Sequence, residues 1–433
     1  MAATAGLALV AGGGPSALAQ GAAGDDKFVT KEEFQKLRQE NEQLRKDLQE
    51  LRQMIKPAGQ MPTATAPGAE ISAVEQIARA GDLKEAARYT FPGSTRSLLT
   101  GYGSAGFSAL RNSDAAFNAQ FNPIFLWKIT DKLLFEGEAE FELDSEDNST
   151  EVALELANLS YVANDYVTFQ AGKFLNPMNS FVERYHMAWV NRLPDTPLAV
   201  YDGLLAETYV GAQFRGGIPL GPTKINYAAF LANAPSLQNG VAADTLGALD
   251  FDNFGNGGGH IAVGGHVGFQ PVPECEFGYG IHSSGVKEMH EDVLLQSVDF
   301  NYVRDSELLR GLLRLNAQWT WSHLGSGDYV DDVGGVFPFE NNRDGGYAQI
   351  TYRPTKCDLE VVKHLEGVFR FDMLNQKDTP VGYDQSRYTA GLNYWLTPKT
   401  VFKAAYQWDT KSRAACVDAP NQSGVYVQFA TGF

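Results

Sequence analysis

From residue 98 to residue 433, apolar and polar residues alternate with a period of two in short runs that are separated by turn residues. This alternation is typical of strands with apolar surroundings on one face and water on the other. The runs predict sixteen strands. They cover residues 99–110, 119–129, 132–143, 150–161, 166–174, 206–216, 223–233, 259–269, 276–284, 292–303, 310–323, 345–353, 365–376, 385–396, 400–410 and 424–433.

The connections between the predicted strands differ in length. Short turns follow strands 2, 4, 8 and 14, whereas long polar connections follow strands 5, 7, 11 and 15. An even number of strands returns the chain to its starting side, and short turns on one side with long loops on the other are typical of outer-membrane barrels. We therefore predict an all-β transmembrane barrel of about 16 antiparallel strands over residues 98–433.

The last predicted strand shows the pattern clearly, because Val425, Val427, Phe429 and Phe433 share one parity. A tilted strand of about ten residues with one apolar face can cross a bilayer. An edge strand of a soluble protein would give the same alternation. The N-terminal segment of the chain, residues 1–19, helps to distinguish the two interpretations.

Residues 1–19 are mostly small and apolar and end in Ala17, Leu18 and Ala19, which indicates a secretory signal peptide. No basic residue precedes the apolar segment, so a tail rich in alanine and glycine is the alternative. No later window has 18 uninterrupted apolar residues, so no membrane-spanning helix is expected. Export to the bacterial outer membrane agrees with this pattern, with the lipid of that membrane as a partner.

Residues 27–56 carry a heptad repeat that predicts a periplasmic α-helical coiled coil. Thr30 and Glu33 form a capping box at its start. A single amphipathic helix packed on its own domain is the alternative, but the polar residue at an a position favours oligomerisation. Residues 57–97 are predicted to be a linker with short helices. The a and d positions are Phe34, Leu37, Asn41, Leu44, Leu48, Leu51 and Ile55.

Composition excludes several functional classes. The formal net charge of −17 is opposite to what a nucleic-acid partner requires. Three cysteines without a CxxC motif predict neither a zinc site nor a disulfide framework. His260 and His266 share a strand face but have no third ligand at metal-binding spacing, so no metal and no cofactor are expected.

Two further motifs resemble catalytic or nucleotide-binding sites. Gly101, Gly103 and Gly106 have dinucleotide-binding spacing, but no helix follows them, so we interpret them as strand glycines. His282 and Ser284 are the nearest candidates for a hydrolase pair, and no acid or amide partner is evident in register. An enzyme is therefore not expected.

Charged residues on the predicted inner face form two groups. The acidic group lies on predicted strands 3 and 4, and the basic group begins eight strands later, which is half of a sixteen-stranded barrel. We expect the two groups to face each other across a water-filled lumen and to create a transverse field; solvation of a wet wall is the alternative. The acidic residues are Glu136, Glu138, Glu140, Glu142, Glu151 and Glu155, and the basic residues are Arg310, Arg314, Arg353, Arg370, Arg387 and Lys403.

The connection from Leu175 to Leu205 contains aromatic and apolar residues that an exposed loop would not need. A loop of this length usually packs on something, and inside a barrel the available surface is the wall. We expect it to narrow the pore. Its charged constriction residues are Arg184, Arg192, Asp195 and Asp202.

Several short motifs resemble bacterial porins, most closely the phosphate-selective porin O and P group. These are Gly172-Lys173-Phe174 with Asn176-Pro177, the stretch 191–195, and the terminal Phe433. The resemblance implies a homotrimer of barrels, an assembly signal at Phe433, and phosphate or polyphosphate as cargo. However, the loop has balanced charges rather than an arginine ladder. We therefore expect a passive channel for small hydrophilic solutes and inorganic ions; a phosphate-selective channel and a structural outer-membrane tether are the alternatives.

Overall fold

The computed structural model describes residues 97–433, except residues 112, 145–148, 202–203, 239–245, 252–259, 287–291, 377–383 and 412–421. The predicted signal peptide and coiled coil lie outside the described residues, as does the predicted linker up to residue 96. Among the described residues, no helix is long and apolar enough to span a membrane.

Sixteen strands close into an antiparallel barrel, which confirms the predicted fold class for the described part of the chain. The barrel closes where Tyr102 lies opposite Gly432 in the pairing of the first and last strands. The barrel strands are β1 (Ser97–Leu110), β2 (Ala116–Lys128), β3 (Leu133–Asp144), β4 (Ser149–Val162), β5 (Thr168–Leu175), β6 (Thr208–Leu220), β7 (Thr223–Asn233), β10 (Ile261–Val272), β11 (Cys275–Gly285), β12 (Asp292–Ser306), β13 (Gly311–Val330), β14 (Val336–Arg353), β15 (Leu365–Asn375), β16 (Gln385–Thr397), β17 (Thr400–Lys411) and β18 (Gly424–Gly432).

The elements outside the barrel wall are short. Two helices, α1 (Ser180–Tyr185) and α2 (Leu198–Tyr201), lie between β5 and β6, and α3 (Glu360–Lys363) lies between β14 and β15. Two strands, β8 (Ser236–Leu237) and β9 (Leu249–Asp250), pair with each other between β7 and β10. The sequence did not predict this small sheet, because two-residue strands carry no measurable periodicity.

The hairpin of β13 and β14 is longer than predicted. Its connection is limited to residues 331–335, so the expected long loop after the eleventh barrel strand is wrong. A register shift between His323 and Ser326 interrupts the hydrophobic alternation, and pairing then continues. The rings of Tyr329 and Phe339 stack at 4.1 Å in this extension and help to hold it together.

The two faces of the wall differ in chemistry. Large apolar side chains such as Phe117, Leu154 and Trp408 are exposed on the outside. On β13, the inward residues Asn316, Gln318, Thr320 and Ser322 are polar and buried. A water-soluble barrel would bury its apolar residues, whereas an apolar outer surface around a polar interior suits a barrel surrounded by lipid. The periodicity of the sequence thus determines both the strands and their faces.

Candidate functional site

The long segment between β5 and β6, residues 176–207, packs against the inner wall of the barrel; we call it the lumen loop. Its apolar residues, including Met178, Phe181, Leu193 and Val200, are buried. Helix α2 contacts β13, β14 and β15, on the side of the barrel away from β5 and β6. The loop therefore crosses the lumen, which is where the sequence placed a constriction.

Side-chain amides fix the two ends of the lumen loop. Asn179 is the N-cap of α1, and its side-chain oxygen accepts a hydrogen bond from the Val182 N–H at 3.2 Å. Asn176 donates to the Ala206 carbonyl at 2.9 Å, which joins the start of the loop to its end. Further along, the rings of Phe181 and Tyr347 meet edge to face at 5.6 Å.

Arg370 and Arg387 of the predicted basic group bind the lumen loop. Arg370 donates from Nη1 to the Asp195 carbonyl and from Nη2 to the Thr196 carbonyl, both at 2.8 Å. Its Nε also pairs with Asp372 at 2.8 Å. Arg387 reaches the Asp195 carboxylate at 2.6 Å and Asp409 at 2.7 Å. Both guanidinium groups are therefore neutralised where the loop meets the wall.

Glu366 forms a second anchor for the loop. Its carboxylate is 3.2 Å from Arg314 Nη1 and 3.6 Å from Arg192 Nε. It also accepts a hydrogen bond from the Trp395 indole at 3.2 Å, and the Arg192 guanidinium lies 4.7 Å from the centre of that ring. Burial lowers the pKa of Arg192 to about 10, so the group remains charged at neutral pH.

The remaining basic residues do not form an open charged wall either. Lys403 is fully buried and donates to Gln428 at 2.8 Å and to the Ala188 carbonyl of the loop. Arg353 donates to the Lys363 carbonyl at 2.6 Å. Arg310 is a correction to the predicted lining: it ends a turn with φ of 51°, and its side chain is 66% exposed. Arg310 belongs to the turn, and the strand with its alternation of inward and outward residues begins at the next residue, Gly311.

The loop's charged residues are also engaged. Arg184 pairs with Glu276 at 2.8 Å, and Arg192 and Asp195 bind the wall as described above. Asp202 lies outside the described residues. Sequence reasoning missed the wall carboxylates Glu366 and Asp372, and it placed Asp409 on the polar face of its strand without giving it a role. One signal was available for Asp372, since it lies two residues after Arg370 and thus on the same strand face.

The predicted acidic group lies on β3 and β4, on a different part of the barrel wall from the basic group. Glu142 of β3 lies opposite Glu151 of β4. The register shifts between Glu138 and Ala139, so Glu155 is an extra residue on β4 and also faces inward. Glu136 has Asn158 as a cross-strand neighbour, with the Asn158 amide 3.5 Å from its carboxylate.

A cavity of about 1080 Å³ lies between this acidic wall and the lumen loop. Six carboxylates and one lysine, Lys173, are among its described lining residues. His186 also lines it, and burial lowers the pKa of its imidazole below the usual value, which keeps the ring neutral at neutral pH. The charged lining of this cavity is therefore strongly acidic. The carboxylates are Glu140, Glu142, Glu151, Glu155, Glu207 and Asp250.

The hydrolase candidates meet, but in the packed interior. His282 Nε2 is 3.0 Å from Ser284 Oγ, and its Nδ1 is 2.8 Å from the Tyr209 hydroxyl. All three side chains are buried, and Tyr209 stacks on Phe230. A tyrosine hydroxyl takes the place of the acid, and the serine is only 4% exposed.

The metal and nucleotide candidates are likewise part of the wall. His266 pairs with Asp299 at 2.7 Å. No group of three potential metal ligands converges among the described residues. Gly101, Gly103 and Gly106 lie within β1, as the absence of a following helix suggested. His266 and the three glycines therefore belong to the barrel wall.

Comparison with known proteins supports the fold. The chain matches no protein-family model and no curated protein sequence. It is similar in structure to the outer membrane channel DcaP of Acinetobacter baumannii, with 12% identity, 78% of this chain and 97% of that chain covered, and a TM-score of 0.51.

Two other solved structures give the same result. Salmonella typhi OmpF in complex with daunomycin has 10% identity, coverage of 78% and 97%, and a TM-score of 0.51. A loop L8 deletion mutant of OmpT, an outer membrane protein of Vibrio cholerae, has 10% identity, coverage of 78% and 99%, and a TM-score of 0.50. At these identities the likeness establishes the barrel fold alone.

Proposed function

We propose that the protein is an outer-membrane porin, a passive and water-filled channel for small hydrophilic solutes and ions. The observation that carries this proposal is the polar cavity of about 1080 Å³ between the acidic wall and the lumen loop, inside a closed barrel. An apolar outer surface places such a barrel in lipid, and a polar interior lets water and ions enter it. The barrel would act as a trimer, as the resemblance to porins implies, with the N-terminal helix in the periplasm.

A phosphate-selective channel is less well supported. An anion needs cations that are free to bind it, but the buried arginines pair with Asp195, Glu366, Asp372 and Asp409 instead. Among the described charged residues that line the cavity, six are carboxylates and one is a lysine, and this excess of negative charge repels anions. The structural tether has no supporting observation among the described residues.

Conductance of the purified full-length protein in a planar lipid bilayer tests the proposed function. We expect stepwise current increases in KCl as single proteins or trimers insert. Heat-denatured protein at the same detergent concentration is the control. Absence of steps from a sample that shows the heat-dependent gel mobility of a folded barrel would contradict a channel function.

A further inference from the structure

A second and smaller cavity adjoins the large one. Its volume is about 20 Å³, enough for one water-sized group. It is lined by Glu138, which does not reach the large cavity, and by residues that the two cavities share. The shared residues are Gln120, Glu140, Glu155, His186, Glu207 and Thr208.

Glu138 is unusual in its environment. It is 1% exposed, and apart from the Tyr102 hydroxyl no hydrogen-bond donor to its carboxyl group lies within the part of the chain that the structure describes. Burying a carboxylate without a partner of opposite charge is costly. Its neighbours include the Tyr102 hydroxyl and the His186 ring, and neither supplies a compensating positive charge.

The orientation of His186 sharpens this mismatch. Its Nδ1 donates to the Val182 carbonyl at 2.6 Å, so in the neutral ring Nε2 is an acceptor. That Nε2 lies 4.0 Å from Glu138 Oε2 and has no hydrogen-bond partner among the described residues. Two buried acceptors therefore face each other, and a group that donates to both would satisfy them.

The surrounding charges favour a cationic donor. Glu140, Glu155 and Glu207 line the small cavity, and no arginine or lysine is among its described lining residues. Three more carboxylates continue into the large cavity. Consecutive inward residues of a strand are about 7 Å apart, so negative charges repeat along the wall at a spacing that a short diamine can bridge.

We propose that this cavity is a binding subsite for a primary ammonium group, and that the channel prefers linear amines which place one ammonium group beside Glu138 and another on the outer carboxylates. The inference rests on the proposed channel function and adds a solute class to it. An ammonium group is water-sized and has three N–H donors for the acceptors of Glu138, His186 and Glu140. A metal ion fits less well, since the described carboxylates do not converge as metal ligands.

The test uses the full-length protein in a planar bilayer with KCl on both sides. Putrescine, a four-carbon diamine, is added to one side, and 1,4-butanediol and succinate are added in parallel experiments. The butanediol has the same carbon skeleton without charge, and succinate carries the opposite charge. We expect putrescine to block the potassium current at concentrations where the other two solutes have no effect.

Glu138→Gln is the main variant, because it replaces the ionisable carboxyl group with a neutral amide at nearly constant volume. We expect it to weaken putrescine block about tenfold, the scale of losing one close charge at a partly hydrated site. Glu340→Gln is the matched control: it removes one negative charge from an exposed position on β14 that lines neither cavity. The double variant Glu140→Gln with Glu155→Gln tests the shared lining if the single variant does not fold.

The outcomes separate this inference from the channel function. A wild-type channel that conducts, but is blocked equally by putrescine and butanediol, overturns the ammonium subsite and leaves the porin proposal intact. Equal block of wild type and of correctly folded Glu138→Gln, or of the double variant, also overturns it. A folded wild type without any conductance overturns both.

Discussion

Replacing Arg370 tests how the lumen loop is held. Arg370 is fully buried on β15 and donates to the Asp195 and Thr196 carbonyls of the loop at 2.8 Å each. It also neutralises Asp372, which is equally buried. Arg370→Met keeps most of the side-chain volume but removes all of these interactions at once.

The size of the effect follows from these contacts. A hydrogen bond to a charged group contributes about 1.5 to 3 kcal/mol, so the two carbonyl contacts hold this part of the loop by roughly 3 to 6 kcal/mol. Removing one partner of a buried ion pair costs about 3 to 5 kcal/mol of the free energy of unfolding. Arg387 still binds the Asp195 carboxylate in the variant, so we expect mobility to increase only at Thr196 and the residues that follow it, while the rest of the loop stays in place.

A double variant separates loop anchoring from barrel stability. In Arg370→Met with Asp372→Leu the stranded carboxylate is gone, so the barrel should regain most of its stability. The loop carbonyls still lack their donors. We expect larger single-channel conductance and more open-channel current noise in both variants. The free energy of unfolding in urea, measured by tryptophan fluorescence in lipid vesicles, should fall mainly in the single variant. Unchanged conductance and noise in both variants would refute the anchoring role of Arg370.

Three further predictions concern the wall, the closing strand and the N-terminal segment. Converting the four inward glutamates of β3 to glutamine should shift the reversal potential toward anion preference, and the shift should be larger in dilute salt because screening is then weaker. If the variant and the wild type have the same reversal potential at both a high and a low salt concentration, these glutamates do not line the conducting path. The Phe433 ring stacks on Phe121 at 5.8 Å, and the Phe433 N–H donates to the Gly101 carbonyl at 3.0 Å. Deletion of Phe433, or Phe433→Asp, should therefore reduce membrane insertion, measured by membrane fractionation and gel mobility. Normal levels of inserted, folded protein would argue against an assembly signal. Deleting residues 27–56 should lower the temperature at which the oligomer dissociates in detergent without abolishing conductance, whereas an unchanged temperature would favour a tether.

Most of the barrel could be predicted from the sequence because the strands have two chemically different sides. Lipid outside and polar contacts inside impose a period of two, and the period gives both the strand and its orientation. The rule failed where the surroundings change. Beyond His323 the β13 and β14 hairpin no longer alternates cleanly, and its pairing there depends on cross-strand contacts such as Tyr329 with Phe339.

The site was predictable in its faces but not in its charge balance. Parity alone places Glu140 and Arg370 on the inner wall. Which of these charges remain open to the cavity depends on the path of the lumen loop, and Asp195 meets Arg370 and Arg387 across 175 and 192 residues of sequence. Periodicity has no information about such distant pairs. The sequence predicts an electric field between an acidic wall and a basic wall that are both open to water. In the structure the acidic wall lines a cavity, whereas Arg370 and Arg387 are paired with carboxylates and hold the lumen loop.

The measurement that tests the central claim most directly is the zero-current potential of the full-length protein in a planar bilayer with a KCl gradient. The acidic lining of the open cavity predicts preference for potassium over chloride, so the dilute side should become positive. The preference should increase at low salt, where the screening length rises from about 10 Å at 0.1 M to about 30 Å at 0.01 M. A chloride preference, or a folded protein that conducts no current, would contradict the account.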